Sequence, residues 1–182
     1  MDNQQKDLSG ERMEPLLKAM DLQLSFNAQF ATKFLREVPD RAAYDVKSET
    51  INPPLWLLVH MVEARSFFGR QVGLKHKPSW GNLKLNGDEI YDVSKYPEIE
   101  VLLKEWETLI QLWDGGIETI TPDMLNKPFS RSFPISDGTK FGLLTFMVNH
   151  ETFHMGQLGA WWKVLGEGPL TGFYPQVGIQ MS

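Results

Sequence analysis

The groups best placed to do chemistry are His150, Glu151 and His154, in the run LLTFMVNHETFHMGQLG over residues 143–159. His150 and His154 stand four positions apart in an apolar pattern of helical period. On a helix that spacing puts both imidazoles on one face, one turn apart. Leu143, Met147, His150, His154, Gln157 and Trp161 alternate by fours and threes, the seam of a packed helix, so the histidines should point into a protein interior. Two buried imidazoles at that distance are costly unless each is hydrogen-bonded or bound to a metal. A divalent cation resolves the conflict, because it takes both as neutral ligands and supplies the compensating charge.

A metal site that leaves a position open for substrate commonly has three protein ligands. His60 is the natural third. It lies in the middle of LWLLVHMVEARSFFGRQ, a segment whose first half is apolar on nearly all sides. Alone, such a histidine reads as a hydrogen-bonded core residue; beside His150 and His154 it reads as a ligand. Three imidazoles suit Zn²⁺, Ni²⁺, Fe²⁺ or Co²⁺. Around them, Glu63 reads as a partner of a ligand, a fourth ligand or a solvated helix glutamate. Gln157 and Asn149 read as structural amides or, more sharply, as amides that orient ligands. Asn27 and Gln23 read as helix-edge amides or, more sharply, as polar groups facing the site. His76 sits in a polar connection and reads as a surface residue, with help in ligand binding as the alternative.

The same stretch spells H-E-x-x-H, the zinc-peptidase pattern in which Glu151 would be the general base. That pattern usually takes its third ligand downstream. No histidine follows His154, and Glu167 is the sole downstream acid, beyond the predicted helix end. Glu151 stays a candidate catalytic base for a water at the metal.

Four helices must position these groups. The first runs over about residues 11–36, with Leu17, Met20, Leu24, Ala28, Ala31 and Leu35 as its seam. The second opens at Asn52-Pro53-Pro54, with Asn or Thr as cap and Pro in the first turn. The third spans about 97–120, with a stripe of Ile99, Leu102, Leu103, Trp106, Leu109, Ile110, Trp113 and Ile117 and a loosened end at Gly115-Gly116. The fourth starts from a cap at Ser136, Asp137 or Thr139 and runs to about Leu165, where Gly166 ends it. Residues 75–96 form a long connection between helices 2 and 3, with short turns or a small hairpin expected around Asn86-Gly87 and the character of a lid or binding loop. The fold predicted is all-α, a four-helix bundle. Residues 1–10 are expected to be disordered, and 11–182 to form one domain, with Phe173, Tyr174, Val177 and Ile179 of the tail packing on the bundle or on a partner.

Composition narrows the function. A net charge of −5 disfavours nucleic acid, which wants a basic face. The absence of cysteine excludes disulfides, thiolate zinc sites and a protein thiol nucleophile. The polar start MDNQQKDLSGERMEP reads as neither signal nor transit peptide, and no apolar run approaches the ~20 residues of a membrane span. These features lead us to expect a cytoplasmic protein.

A histidine within the apolar second helix LWLLVHMVEARSFF, together with H-x-x-x-H followed by x-G-Q in HETFHMGQL, makes the chain resemble the DinB-like family of bacterial four-helix-bundle proteins. These are also described as YfiT-like metal-dependent hydrolases. The resemblance covers about residues 11–166. It implies a divalent metal, zinc or nickel, held by His60, His150 and His154; Gly156 and Gln157 match the family's Gly-Gln, and Met155 stands where an Arg is common. It further implies a small-molecule substrate, a homodimer, and thiol S-transfer from a low-molecular-weight thiol such as bacillithiol or mycothiol to an electrophile, or else hydrolysis. The absence of cysteine agrees with a nucleophile that arrives with the cosubstrate. The rival reading is a non-catalytic dimeric bundle whose metal is structural or absent, with the zinc peptidase third. The apolar surface of the second helix and the apolar tail would suit a dimer.

Overall fold

The computed structural model describes residues 10–38, 40–48, 50–129, 135 and 137–166. The expectations for residues 1–9, for the tail from Glu167 and for its packing fall outside that set. Among the described residues the chain is helical, with one isolated bridge, Pro128 to Thr139, and no strand. No described helix is long and apolar enough to cross a membrane.

Helix α1 is Gly10–Glu37, α2 Pro54–Gln71, α3 Ile99–Gly116, α4 the single turn Pro122–Leu125, and α5 Lys140–Val164. The four long helices form a ring in which α1 and α2 each pack against both α3 and α5. Consecutive helices α1 and α2 are therefore diagonal, and α5 lies between them with two faces to bury. This explains why α5 is apolar beyond one stripe: Leu143, Met147, His154 and Trp161 are buried, and so are Leu144, Met155, Leu158 and Trp162. Likewise Leu55, Leu57, Leu58, Val59, Met61 and Val62 of α2 are all buried within the chain. The apolar surface that argued for a dimer is consumed by the bundle itself.

The helix ends follow local chemistry. Pro53 is the N-cap residue of α2 and Pro54 its first residue, with no side-chain cap. The Asn or Thr cap expected here is absent, and the Asn52 carbonyl instead accepts Trp161 Nε1–H of α5 at 2.8 Å. At the other end Leu74 N–H donates to Gly69 O at 2.9 Å across Gly73, whose φ of +96° favours glycine. Thr139 is the α5 cap, its hydroxyl accepting from Gly142 N–H at 3.1 Å. Gly116 does not loosen α3: it lets Leu74 lie against the helix where a Cβ would collide.

The long connection between α2 and α3 holds no hairpin. Asn86 precedes two 3₁₀ turns, Gly87–Tyr91 and Val93–Lys95. Arg41, just after α1, fastens its end by donating to the carbonyls of Val93, Tyr96 and Pro97 and by pairing with Glu98 at 2.9 Å.

Candidate metal centre

Packing α2 against α5 brings the three histidines together. His60 Nε2 lies 3.0 Å from His150 Nε2, and His154 Nε2 lies 3.1 Å from it. All three ligand atoms fall within 4.8 Å of one another. Aromatic rings fix the imidazole planes. Trp56, one turn before His60, stacks on it at 4.6 Å and 16°. Phe146, one turn before His150, stacks on that ring at 5.6 Å and 30°.

The second nitrogen of His154 decides its tautomer. Nδ1–H donates to Gln157 Oε1 at 2.7 Å, which leaves Nε2 as a bare lone pair aimed at the cluster. Burial, then the neighbouring His150 and His154, pushes the His60 pKa down to about 3. Burial, then His154, takes His150 down to about 4. His154 is lowered by burial too, against the opposing pull of Gln157 and Glu151. All three are neutral near pH 7 and able to donate lone pairs.

This donor set fits a divalent cation. Metal–nitrogen bonds of ~2.0–2.1 Å in a tetrahedral arrangement place donor atoms roughly 3.3 Å apart. The separations of His150 Nε2 from His60 and His154, 3.0 and 3.1 Å, need to open by only a few tenths of an ångström, and the set as a whole lies within 4.8 Å. Three neutral nitrogens also leave a tetrahedral ion one position for another molecule.

Glu151 has a different place from the one expected. It is 3% exposed, and both its oxygens are taken by Arg65 of α2: Nε–H donates to Oε2 at 2.9 Å and Nη2–H to Oε1 at 2.5 Å. Arg65 Nη2 also donates to Leu24 O of α1 at 3.1 Å, and its guanidinium lies 4.5 Å from the Trp106 ring centroid of α3. Trp106 Nε1–H in turn donates to Ala28 O at 3.3 Å. One buried ion pair thus touches all four long helices. Both Glu151 oxygens are engaged in a bidentate ion pair, so the arrangement departs from the zinc-peptidase pattern although the letters match.

Other expected residues sort themselves by contact. Gln157 orients His154 as described. Asn149 is exposed and orients none of the three. Glu63 is outside the ligand group and is not a solvated glutamate: its Oε1 accepts from Trp80 Nε1–H at 3.1 Å and Leu83 N–H at 2.7 Å. His76 is no surface residue. Its side chain is 10% exposed, bonded to Ser66 Oγ at 2.7 Å and to Glu105 Oε2 at 2.9 Å. Asn27, 1% exposed, accepts from Gln23 and donates to Thr152 Oγ1 at 3.1 Å, which ties α1 to α5 next to Glu151. Sequence reasoning passed over Arg65; an arginine inside a helix apolar on most sides was the available signal.

His60 and His150 line a cavity of about 740 Å³, so the cluster is reachable by a small molecule. A sequence profile of the DinB superfamily matches residues 23–158, a span that contains all three histidines and well over half of the chain. No curated protein and no solved structure matches the chain.

Proposed function

The chain belongs to the DinB superfamily, and on that premise we propose that it is a metal-dependent enzyme in which His60, His150 and His154 hold a divalent ion, zinc or nickel. The observation that carries this reading is the convergence of three neutral Nε2 atoms at 3.0 and 3.1 Å on the wall of a cavity. The bound ion would act as a Lewis acid that lowers the pKa of a thiol or water and holds it beside an acceptor. The chain's own residues do the rest. Trp56 and Phe146 fix the imidazole planes, Gln157 sets the His154 tautomer, and the apolar cavity wall receives a small-molecule substrate.

Between the two nucleophiles, the site favours a thiol. A thiol starts from a pKa of ~8.5 and water from ~15.7, so the metal reaches a thiolate with the smaller shift, and Glu151, committed to Arg65, does not assist water as a base. A thiolate formed at neutral pH needs no such partner. In the S-transfer reaction the sulfur forms a bond to the acceptor carbon as the carbon–leaving-group bond breaks. The leaving group takes the electron pair, and the thiol proton goes to solvent. The cosubstrate is a low-molecular-weight thiol, in keeping with a chain that has no cysteine.

The test has two stages. Protein purified without a histidine tag should contain metal that His60→Ala loses. The loaded protein should then conjugate a low-molecular-weight thiol to a model electrophile faster than the metal-free protein does. Metal retained without turnover across a panel of thiols, or of ester and amide substrates, favours the rival reading of a non-catalytic bundle.

A further inference from the structure

Two cavities meet at the histidine cluster, and their linings differ. The larger, about 740 Å³, has Phe67, Phe68 and Phe146 on its wall and also carries Arg70 and Lys77. The smaller, about 350 Å³, carries Asn82, Lys84 and Asn86 beside apolar residues such as Trp56, Leu83 and Leu85. His60, Glu63 and Asn82 line both. Each volume lies within the ~300–1,000 Å³ typical of small-molecule sites.

The segment that lines both is held by named bonds. Glu105 of α3 accepts from His76 Nε2–H at 2.9 Å and from Ser79 N–H at 3.0 Å. Glu63 of α2 accepts from Trp80 and Leu83. Two carboxylates on two helices therefore pin residues 76–83, the segment that contributes Lys77, Gly81 and Asn82 to the larger cavity and Asn82 and Leu83 to the smaller. Both of these bonds to Glu63 go to Oε1, and among the described residues none donates to Oε2, on the lining the cavities share.

We propose, building on the metal-centre reading, that the site binds two different small molecules at once: an aromatic or otherwise apolar one bearing an acidic group in the larger cavity, and a polar, hydrogen-bonding one in the smaller. Phenyl faces and the burial of apolar area select the first ligand. Arg70 and Lys77 select its acidic group; Arg70 spends one N–H on His76 O at 2.6 Å and keeps others to give. Lys84, Asn82 and Asn86 supply donors and acceptors for the second, and Glu63 Oε2 accepts a hydrogen bond at the common wall. Hydrolysis needs one organic ligand and water, whereas a site that joins two molecules needs both cavities.

The test uses full-length metal-loaded protein and two probes, 8-anilinonaphthalene-1-sulfonate as the aromatic anion and reduced glutathione as the polar ligand. Saturating glutathione should leave the affinity for the aromatic anion within about threefold. Ala64→Leu, or Phe67→Ser should the first not fold, should weaken the aromatic anion by about tenfold and leave glutathione unchanged. Lys84→Glu, or Asn86→Leu in its place, should do the reverse. Competitive displacement of one probe by the other, equal weakening of both by either variant, or failure of the loaded protein to bind either probe overturns the two-ligand site while leaving the metal centre intact. Protein that takes up no metal overturns the metal centre and this proposal with it.

Discussion

At the residue scale the centre depends on keeping lone pairs free of protons. Gln157 does this for His154, and partners of this kind typically contribute 10–100-fold to metal affinity. Gln157→Leu should therefore weaken metal binding by about that factor in a chelator competition, while the helical circular dichroism stays unchanged. The pKa shifts give a second prediction with a definite sign. His60 and His150 fall from 6.5 to about 3 and about 4 in the folded chain. Below pH 6.5 the unfolded chain binds protons that these two side chains refuse, so stability falls with pH. Their contribution to the stability of metal-free protein is intact above about pH 6.5 and is lost progressively as pH drops through about 4 for His150 and about 3 for His60. Urea unfolding of metal-free wild type across this window should show a steeper slope than His60→Phe; equal slopes contradict the assignment. His150 and His154 were legible in the sequence because a four-residue spacing on an apolar helix leaves few alternatives. The role of Glu151 was not, because its partner Arg65 lies 86 positions away and only packing brings them together.

At the element scale the Arg65–Glu151 pair joins α2 to α5, the two helices that carry the histidines. Removing one partner strands a buried charge, which costs ~3–5 kcal/mol. Arg65→Met should lower stability by that order in denaturant titration, about 3 kcal/mol or more, whereas Arg65→Met with Glu151→Leu should recover most of it. If the double variant is stable and still binds metal weakly, the pair positions the ligands; if it binds metal like wild type, the pair serves stability alone. The helices themselves were readable from apolar period, down to the buried stripe of Ile99, Leu102, Trp106, Leu109 and Trp113 in α3. The connection between α2 and α3 was readable only as far as short turns or a hairpin. Its 3₁₀ turns are too short to show a period, and its shape is set by Arg41, Glu63 and Glu105, which lie on other elements.

At the scale of the whole molecule, the ring of helices puts α5 between α1 and α2, buries its two faces, and leaves a cavity beside the histidines. The fold class and three converging histidines followed from pattern. The diagonal placement of α1 and α2 did not, because amphipathic stripes say that a helix is buried and not which neighbour buries it. A ligand that binds only the folded state stabilises it by about 2.7 kcal/mol at 100 times its Kd. Zinc or nickel should therefore raise the Tm of the metal-free protein by several degrees, and His60→Ala should abolish the increase. The measurement closest to the central claim is metal content of protein purified without a histidine tag, wild type beside His60→Ala. About one zinc or nickel ion per chain in the wild type, with loss of most of it in the variant, is the result predicted. Equal, substoichiometric metal in both would contradict the metal centre.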